Sequence, residues 1–248
     1  MLGGDADACV TGVRSLLAGS SDRAGPAARF VGVLHQRSPI AAMVRVESDL
    51  RRPSQLDGRR LAVCRLGWFL AEFQRALSDA AGATAALVPV PVDDAQAPLR
   101  RGEVDMIASW SELVPWARRR AGVAVRAVPI GPPVYTTGLV VHDRVPVEVA
   151  TRLRDAFAEA LGLQAETLAA GLAESARRSP LVPAGDVQEE WELLRVNAHH
   201  DGRAAAMRAD RWSATLAWMA DVHGTPRRAV DEVCRPELLA PDYAGVGV

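Results

Sequence analysis

The sequence predicts an α/β fold of two lobes, with mostly parallel sheets and a helical C-terminal part. Three observations predict it. One phrase occurs twice, as Gly4-Asp5-Ala6-Asp7-Ala8-Cys9-Val10-Thr11-Gly12 and as Gly102-Glu103-Val104-Asp105-Met106-Ile107-Ala108-Ser109-Trp110. In both copies a glycine closes a helix, acids occupy the turn, an apolar run enters a sheet, and a small hydroxyl residue sits where the strand emerges. Strand and helix patterns then alternate from 61 to 130, as expected of parallel strands covered by helices. After Pro146 the pattern turns helical.

Taken in order, 6–12 reads as a strand, 12–19 as a short helix, 20–26 as a turn-rich loop, and 29–34 as a strand that delivers His35, Gln36 and Arg37 at its end. The apolar run 40–46 is extended and is expected to cross into the next lobe. Residues 52–60 make a one-turn helix and a tight turn feeding a strand over 61–64. Gly67 then opens a helix to about 81, whose Phe69, Leu70, Phe73, Ala76 and Leu77 fall at helical spacing. Strands are expected over 86–90, 105–109 and 125–130, with helices over 93–101 and 112–120. The β-branched run 134–142 carries the chain back to the first lobe. Helices over 147–161, 165–176, 187–199, 211–222 and 227–233 follow, and 241–248 is expected to fray.

Composition excludes several classes. The 248 residues, 49% of them hydrophobic, can bury a sizeable core. A net charge of -1 argues against a nucleic-acid binder, whose phosphate-tracking surface shows as a basic excess. All 29 basic residues are arginine, and without a lysine no Schiff base can form. Cys9, Cys64 and Cys234 lack metal-ligand spacing and sit in apolar sequence, which reads as buried reduced thiols. No run is long and apolar enough to span a bilayer, and no leader pattern opens the chain, so the chain as written is expected to be cytoplasmic. No cofactor and no metal are expected; His199 and His200 point to different sides of a helix end, and His142 and His223 are isolated.

Ligands of open α/β folds bind at the carboxyl ends of strands. That rule selects Thr11 and Gly12, then His35, Gln36 and Arg37, then Arg65 to Trp68, then Ser109 and Trp110. At Arg65, Gly67 and Trp68 the unpaired N–H groups of a helix start favour an anion, and Arg65 adds a bidentate fork; the alternative is a solvated Arg65 and a Trp68 anchored in the core. Trp110, and less so Trp116, supplies an aromatic wall or is simply packed. His35 is placed to donate a hydrogen bond or to act as a base.

The run Leu56-Asp57-Gly58-Arg59-Arg60-Leu61-Ala62-Val63, the glycine-initiated helix after it and Leu99-Arg100-Arg101-Gly102-Glu103-Val104-Asp105 carry a resemblance. So do Tyr135-Thr136-Thr137-Gly138-Leu139-Val140-Val141, Asp210-Arg211-Trp212 and Pro236-Glu237-Leu238-Leu239. The chain resembles the type 2 periplasmic-binding-protein superfamily, in the branch serving ABC importers of sulfonates, nitrate and thiamine pyrimidine precursors. The resemblance implies one lobe from 1–43 plus 142–248 and another from 44–141, with a small-molecule ligand between them. It puts Tyr135 and Thr136 on a crossing strand facing that ligand, beside Thr11, Gly12, His35, Arg37, Arg65, Gly67, Trp68, Ser109 and Trp110. It also implies an ABC permease and ATPase as partners, and a non-enzymatic role capturing an anionic or ring-containing organic molecule.

The chain departs from that pattern in lacking the opening strand, helix and second strand, and an export signal or lipid-attachment cysteine. A start placed too late, or a truncation, would account for both. The chain is then expected to be extracytoplasmic or membrane-anchored in its full form, and as written to leave an apolar sheet edge uncovered. The alternative function is a cofactor-independent lyase on the same fold, of decarboxylase, desulfinase or dehydratase type. Its toolkit would be His35, Arg37, Arg65 and Cys9 or Cys64, arginines holding an acid while a cysteine or histidine handles attack or proton transfer.

Overall fold

The repeated phrase is a register clamp. In the computed structural model, which describes residues 6–19, 27–63, 67–90, 96–162, 184–200 and 203–240, Gly102 takes φ +73° and ends helix α3 (Gln96–Arg101). Glycine reaches that left-handed conformation without a Cβ clash. Three residues on, the Asp105 carboxylate accepts the Arg60 backbone N–H at 2.9 Å and two bonds from its guanidinium, whose Nη2 also reaches Gly102 O at 2.9 Å. Strand β4 (Arg60–Val63) is thereby aligned parallel to β6 (Met106–Trp110), Leu61 against Met106. In the first copy Asp7 accepts Arg144 Nε at 2.7 Å and its carbonyl accepts the His142 N–H at 2.8 Å, which registers β1 (Ala8–Gly12) against β8 (Thr137–His142).

The Asp105 clamp has a pH signature. Hydrogen bonds from Arg60 hold its carboxyl below the ordinary value of 3.8. A carboxyl whose folded pKa is depressed contributes stability that is complete above its unfolded value and is lost as pH falls through the folded one. Asp105→Asn is expected to be less stable at neutral pH and to lose part of the acid limb below about pH 4. Thermal melts across that limb check it, and superimposable limbs for the two proteins would refute it.

Contacts divide the chain into two units, the first Met1–Ser38, Pro133–Leu163 and Asn197–Val248, the second Pro39–Pro132 and Gln164–Val196. In unit 1, β8 lies between β1 and β2 (Ala28–Val33) and is antiparallel to both. In unit 2 the order is β5-β4-β6-β3-β7, with β3 (Ile40–Arg45), β5 (Ala86–Pro89) and β7 (Val125–Pro129). There β3 alone runs against its neighbours. The unit 1 sheet is therefore paired antiparallel throughout, against the expectation of mostly parallel sheets, while unit 2 joins a parallel β5-β4-β6 run to a reversed β3 between β6 and β7.

Those reversed strands are the two runs read as crossings. Each hydrogen-bonds on both sides within one sheet, so the contact boundaries fall at 38/39 and 132/133 rather than at 43/44 and 141/142. The C-terminal part also departs from the expectation of a single lobe. Helix α6 (Ala184–Ala198) joins unit 2, where Leu193 packs on the core and Glu189 takes both Arg118 amines of α4 (Val114–Ala121) at 3.2 and 2.9 Å. After it comes a short pair, β9 (His199–His200) with β10 (Arg203–Ala204), in a tail read as all helix.

The helix over 147–161 is seen as α5 (Val147–Gly162). The last two helices are α7 (Ala209–His223) and α8 (Val230–Val233), the latter one turn long where seven residues were expected. The expected helix at 165–176, the loop 20–26, Cys64 to Leu66 and the tail 241–248 lie outside the described residues.

Unit 1 is centred on Trp212, which is fully buried against Phe30 at 4.9 Å and Tyr135 at 5.1 Å between ring centroids. Unit 2 buries Met43, Leu99 and Ile107 of its sheet and α3 against Val114 and Ala117 of α4. Among the described residues no helix is long and apolar enough to cross a membrane.

Candidate functional site

Unit 1 gathers polar groups where β1 and β2 end and β8 begins. Antiparallel pairing brings these ends to one edge: Gly12 opposes Thr137, and Val33 opposes Gly138. Beyond β2 the chain turns under Thr137, whose carbonyl accepts the Leu34 N–H at 2.8 Å. That turn buries His35, and its Nδ1 lies 3.0 Å from Thr136 Oγ1. Thr136 O in turn accepts the Val13 N–H at 2.9 Å, which ties in the start of α1 (Val13–Gly19), and Thr11 stands half-buried just before Gly12. Thr11, Gly12, His35 and Thr136 are therefore neighbours, as strand-end reasoning required.

The neighbouring Gln36 is 2% exposed and held at several points. Its N–H donates to Asn197 O at 2.7 Å, its Nε2 donates to Ala206 O at 2.8 Å, and its carbonyl accepts Arg211 Nη1 at 3.0 Å. This clamp leaves Arg37 projecting, exposed, from the next position.

Tyr135 corrects an expectation. Its side chain is fully buried, packed on Trp212, and its hydroxyl accepts the Arg208 N–H at 3.2 Å while its own N–H donates to Thr215 Oγ1 at 3.0 Å. Burial pushes the phenol up from its ordinary pKa. It is a core residue of unit 1, its ring turned into the core just ahead of β8 where its neighbour Thr136 turns to His35. Arg211, by contrast, was quoted only as part of a motif and given no role. Its signal in the sequence was the position itself, opening a helix beside a buried tryptophan.

Unit 2 forms its own strand-end group. Ser109 and Trp110 close β6, opposite Ala41 and Ile40 of β3. Trp110 keeps 39% of its surface exposed, and Phe69 of α2 (Gly67–Ala81) meets its ring edge-on, with centroids 5.8 Å apart at 83°. Edge-to-face contact braces an indole without covering its face. Gly67 and Trp68 lie in the first turn of α2, so the helix start does face the strand ends; the Trp68 side chain and Arg65 are outside the described residues. Phe69, read only as a helix-face residue, is the one the sequence undervalued. Trp116 packs against the core of unit 2 and under Arg120, whose guanidinium carbon is 5.5 Å from its ring.

A concavity of about 220 Å³ in unit 2 lies elsewhere, at the opposite end of the sheet among Arg45, Glu47, Arg59 and Asp105. Arg45 pairs with Glu47 there and Asp105 with Arg60 beside it, and the concavity takes no part in the strand-end group.

The thiols divide sharply. Cys234 is buried, and burial pushes its thiol far above the ordinary value. Cys9 is half-buried on β1. At about 3.3 Å per residue it lies roughly 10 Å down the strand from Gly12. In a Cys64→Ser background, a thiol reagent is expected to modify Cys9 in the folded protein and Cys234 only after unfolding. Reaction of Cys234 in the native state would contradict the packing around it.

Two α/β units of this topology, each with a strand-end group of polar or aromatic side chains, define the class of two-lobed binding-protein folds. The sequence matches the family described as NMT1/THI5 like over residues 1–161, and the chain belongs to that family. The fold is similar to that of the periplasmic aliphatic sulphonate binding protein SsuA from Escherichia coli, with a TM-score of 0.66 at 18% identity over 100% of this chain and 81% of that one. It is also similar to the alkanesulfonate-binding protein SsuA from Xanthomonas axonopodis pv. citri, solved with MOPS bound (TM-score 0.58, 18% identity, 94% of this chain and 81% of that one). A mutant of the enzyme DSZB in complex with biphenyl-2-sulfinic acid matches with a TM-score of 0.58 at 18% identity, over 96% of this chain and 84% of that one. At these identities the likeness is one of fold. A search of curated proteins found no match.

Proposed function

We propose that this chain is the substrate-binding component of an ABC importer, and that it captures a small anionic or ring-containing organic molecule between its two lobes. The observation that carries this reading is the pair of strand-end groups, one polar in unit 1 and one aromatic in unit 2. Unit 1 offers Thr11, Gly12, His35, Arg37 and Thr136; unit 2 offers Ser109, Trp110 and the start of α2 at Gly67 and Trp68. Arg65, just ahead of that helix, would add a second cation. A charged head and an apolar body on one ligand would satisfy the two groups together. Hinge closure would bring them to the same molecule and supply contacts absent from the open form. A permease and an ATPase would be the partners, as for importers that the family's sulfonate-binding fold relatives serve.

The lyase reading rests on the likeness to DSZB. Of its two candidate thiols, Cys9 sits well below the strand end, and Cys64 lies outside the described residues. Calorimetry with ethanesulfonate, propionate, nitrate and an arylsulfonate, followed by chromatography of the same mixtures, tests the two readings. Saturable binding with the probe recovered intact is the expected result. A probe recovered as its desulfonated or decarboxylated product, with Cys9→Ser abolishing that conversion, would replace the importer reading with the lyase.

A further inference from the structure

We infer that Arg211 anchors the oxyanion end of the ligand, an inference that names the head-group chemistry of the site and rests on the binding reading above. Arg211 opens α7, half-buried, and its guanidinium carbon lies 5.7 Å from the centre of the Tyr135 ring. Tyr135 is itself immobilised by Trp212, Thr215 and the Arg208 N–H. Arg211 Nη1 donates to Gln36 O at 3.0 Å and reaches Gln36 Oε1 at 3.5 Å. Stacking fixes the plane of the guanidinium and one hydrogen bond fixes its rotation within that plane.

The charge on this group is not answered by any carboxylate among the described residues. The adjacent acid, Asp210, is committed to Arg208, which grips it with Nε at 3.0 Å and Nη2 at 2.8 Å. Hydrogen bonds from Arg208 hold that carboxyl below its ordinary pKa. A guanidinium has five N–H donors in one plane; Nη1 is engaged by Gln36 and the group also meets the Tyr135 hydroxyl, which leaves N–H donors that can form a fork toward an anion. A half-buried cation without a counter-ion is an unfavourable arrangement until an anion supplies one. The two donors of the fork match two oxygens of a sulfonate or carboxylate.

The position agrees with the chemistry. Arg211 touches Gln36, the residue between His35 and Arg37, so the fork stands at the same edge of unit 1 as the His35–Thr136 pair. Arg37, exposed, adds a second positive charge one residue along. The fork recognises the oxyanion at the strand-end edge of unit 1.

The test is thermal unfolding of the full chain at constant ionic strength, titrated with sulfate, ethanesulfonate, propionate and the uncharged ethyl methyl sulfone. The wild type is expected to gain about 5 °C at a hundredfold excess over Kd with the charged probes, and nothing with the sulfone. Arg211→Met keeps the stem over Tyr135 and is expected to move the midpoint of that response at least about tenfold; Arg211→Lys, which keeps the charge without the fork, is expected to move it by less. Arg227→Gln, on the surface, serves as the control and is expected to respond as wild type does. If Arg211→Met does not fold, the shift in Arg211→Lys carries the test. No response of the wild type to any charged probe at about 50 mM, or a full response retained by both Arg211 variants, overturns the assignment. A response to sulfate that depends on Arg211, with none to either organic anion, supports the fork and refutes the importer reading instead.

Discussion

Gly138→Ala is expected to be the most damaging methyl that can be added at a described glycine of unit 1. A Cβ at this position would collide with the Gly32 carbonyl oxygen and stand 2.9 Å from Phe30 Cδ1. Neither neighbour can yield. Gly32 O belongs to the bulged pairing of β2 with β8, where the register shifts between Phe30 and Gly32, and the Phe30 ring is locked against Trp212. Overpacking against backbone forces the strand to move, and we expect a loss of about 3 kcal/mol, or roughly 6–12 °C in Tm. Gly162→Ala at the end of α5 meets nothing within 4 Å and is the matched control. Differential scanning calorimetry of the two variants decides the matter. Hydrogen exchange over 27–33 and 137–142 locates the damage, and a Gly138→Ala protein as stable as the control would show that the approach of β2 to β8 is looser than it is drawn here.

The second large effect is expected at Arg235. This cation is 4% exposed, and its Nη2 donates to the carbonyls of His142, Asp143 and Val145 at 3.0, 3.4 and 2.7 Å. Asp143 and Val145 lie in the turn between β8 and α5, and His142 ends β8, its carbonyl also accepting the Val145 N–H at 3.0 Å. The C-terminal segment thus closes unit 1 through one side chain, helped by the Arg235 N–H on Phe30 O at 3.1 Å. Arg235→Met fills the space but strands the buried acceptors, and is expected to lower stability by about 2–4 kcal/mol. Arg235→Lys keeps a charge that can reach one or two of them, and should fall between. Urea unfolding measures both; a methionine variant within about 0.5 kcal/mol of wild type would show that water replaces the guanidinium at the turn.

Much of the fold was legible because its elements are local. Alternation and spacing located β4, α2, β5, β6, α4, β7 and α5 to within a few residues, and the repeated phrase marked two strands whose acids, Asp7 and Asp105, turn out to clamp register to an arginine. The boundaries between units were less legible. An apolar β-branched run looks the same whether it links two lobes or fills the centre of a sheet, and only pairing on both edges shows that β3 and β8 do the latter. The place of α6 in unit 2 was hidden for the same reason, since a helix carries no local mark of the sheet it will cover.

The candidate site divides along that line too. Strand-end logic selected Thr11, Gly12, His35, Ser109 and Trp110, because carboxyl ends of strands can be read from periodicity. The resemblance added Tyr135, and neither reading gave Arg211 a role, because those two depend on which way a ring turns and on which acid an arginine meets. Asp210 is the nearest acid in sequence to both Arg208 and Arg211, and only the folded chain gives it to Arg208. By itself the sequence determined the α/β class, the order of most elements, the family and the positions of the strand ends, all of which follow from short-range pattern. Only the tertiary structure decided which strands share a sheet, which aromatic is core and which is exposed, and which acid an arginine meets. Those are outcomes of tertiary contacts, many of them between residues forty to more than a hundred positions apart.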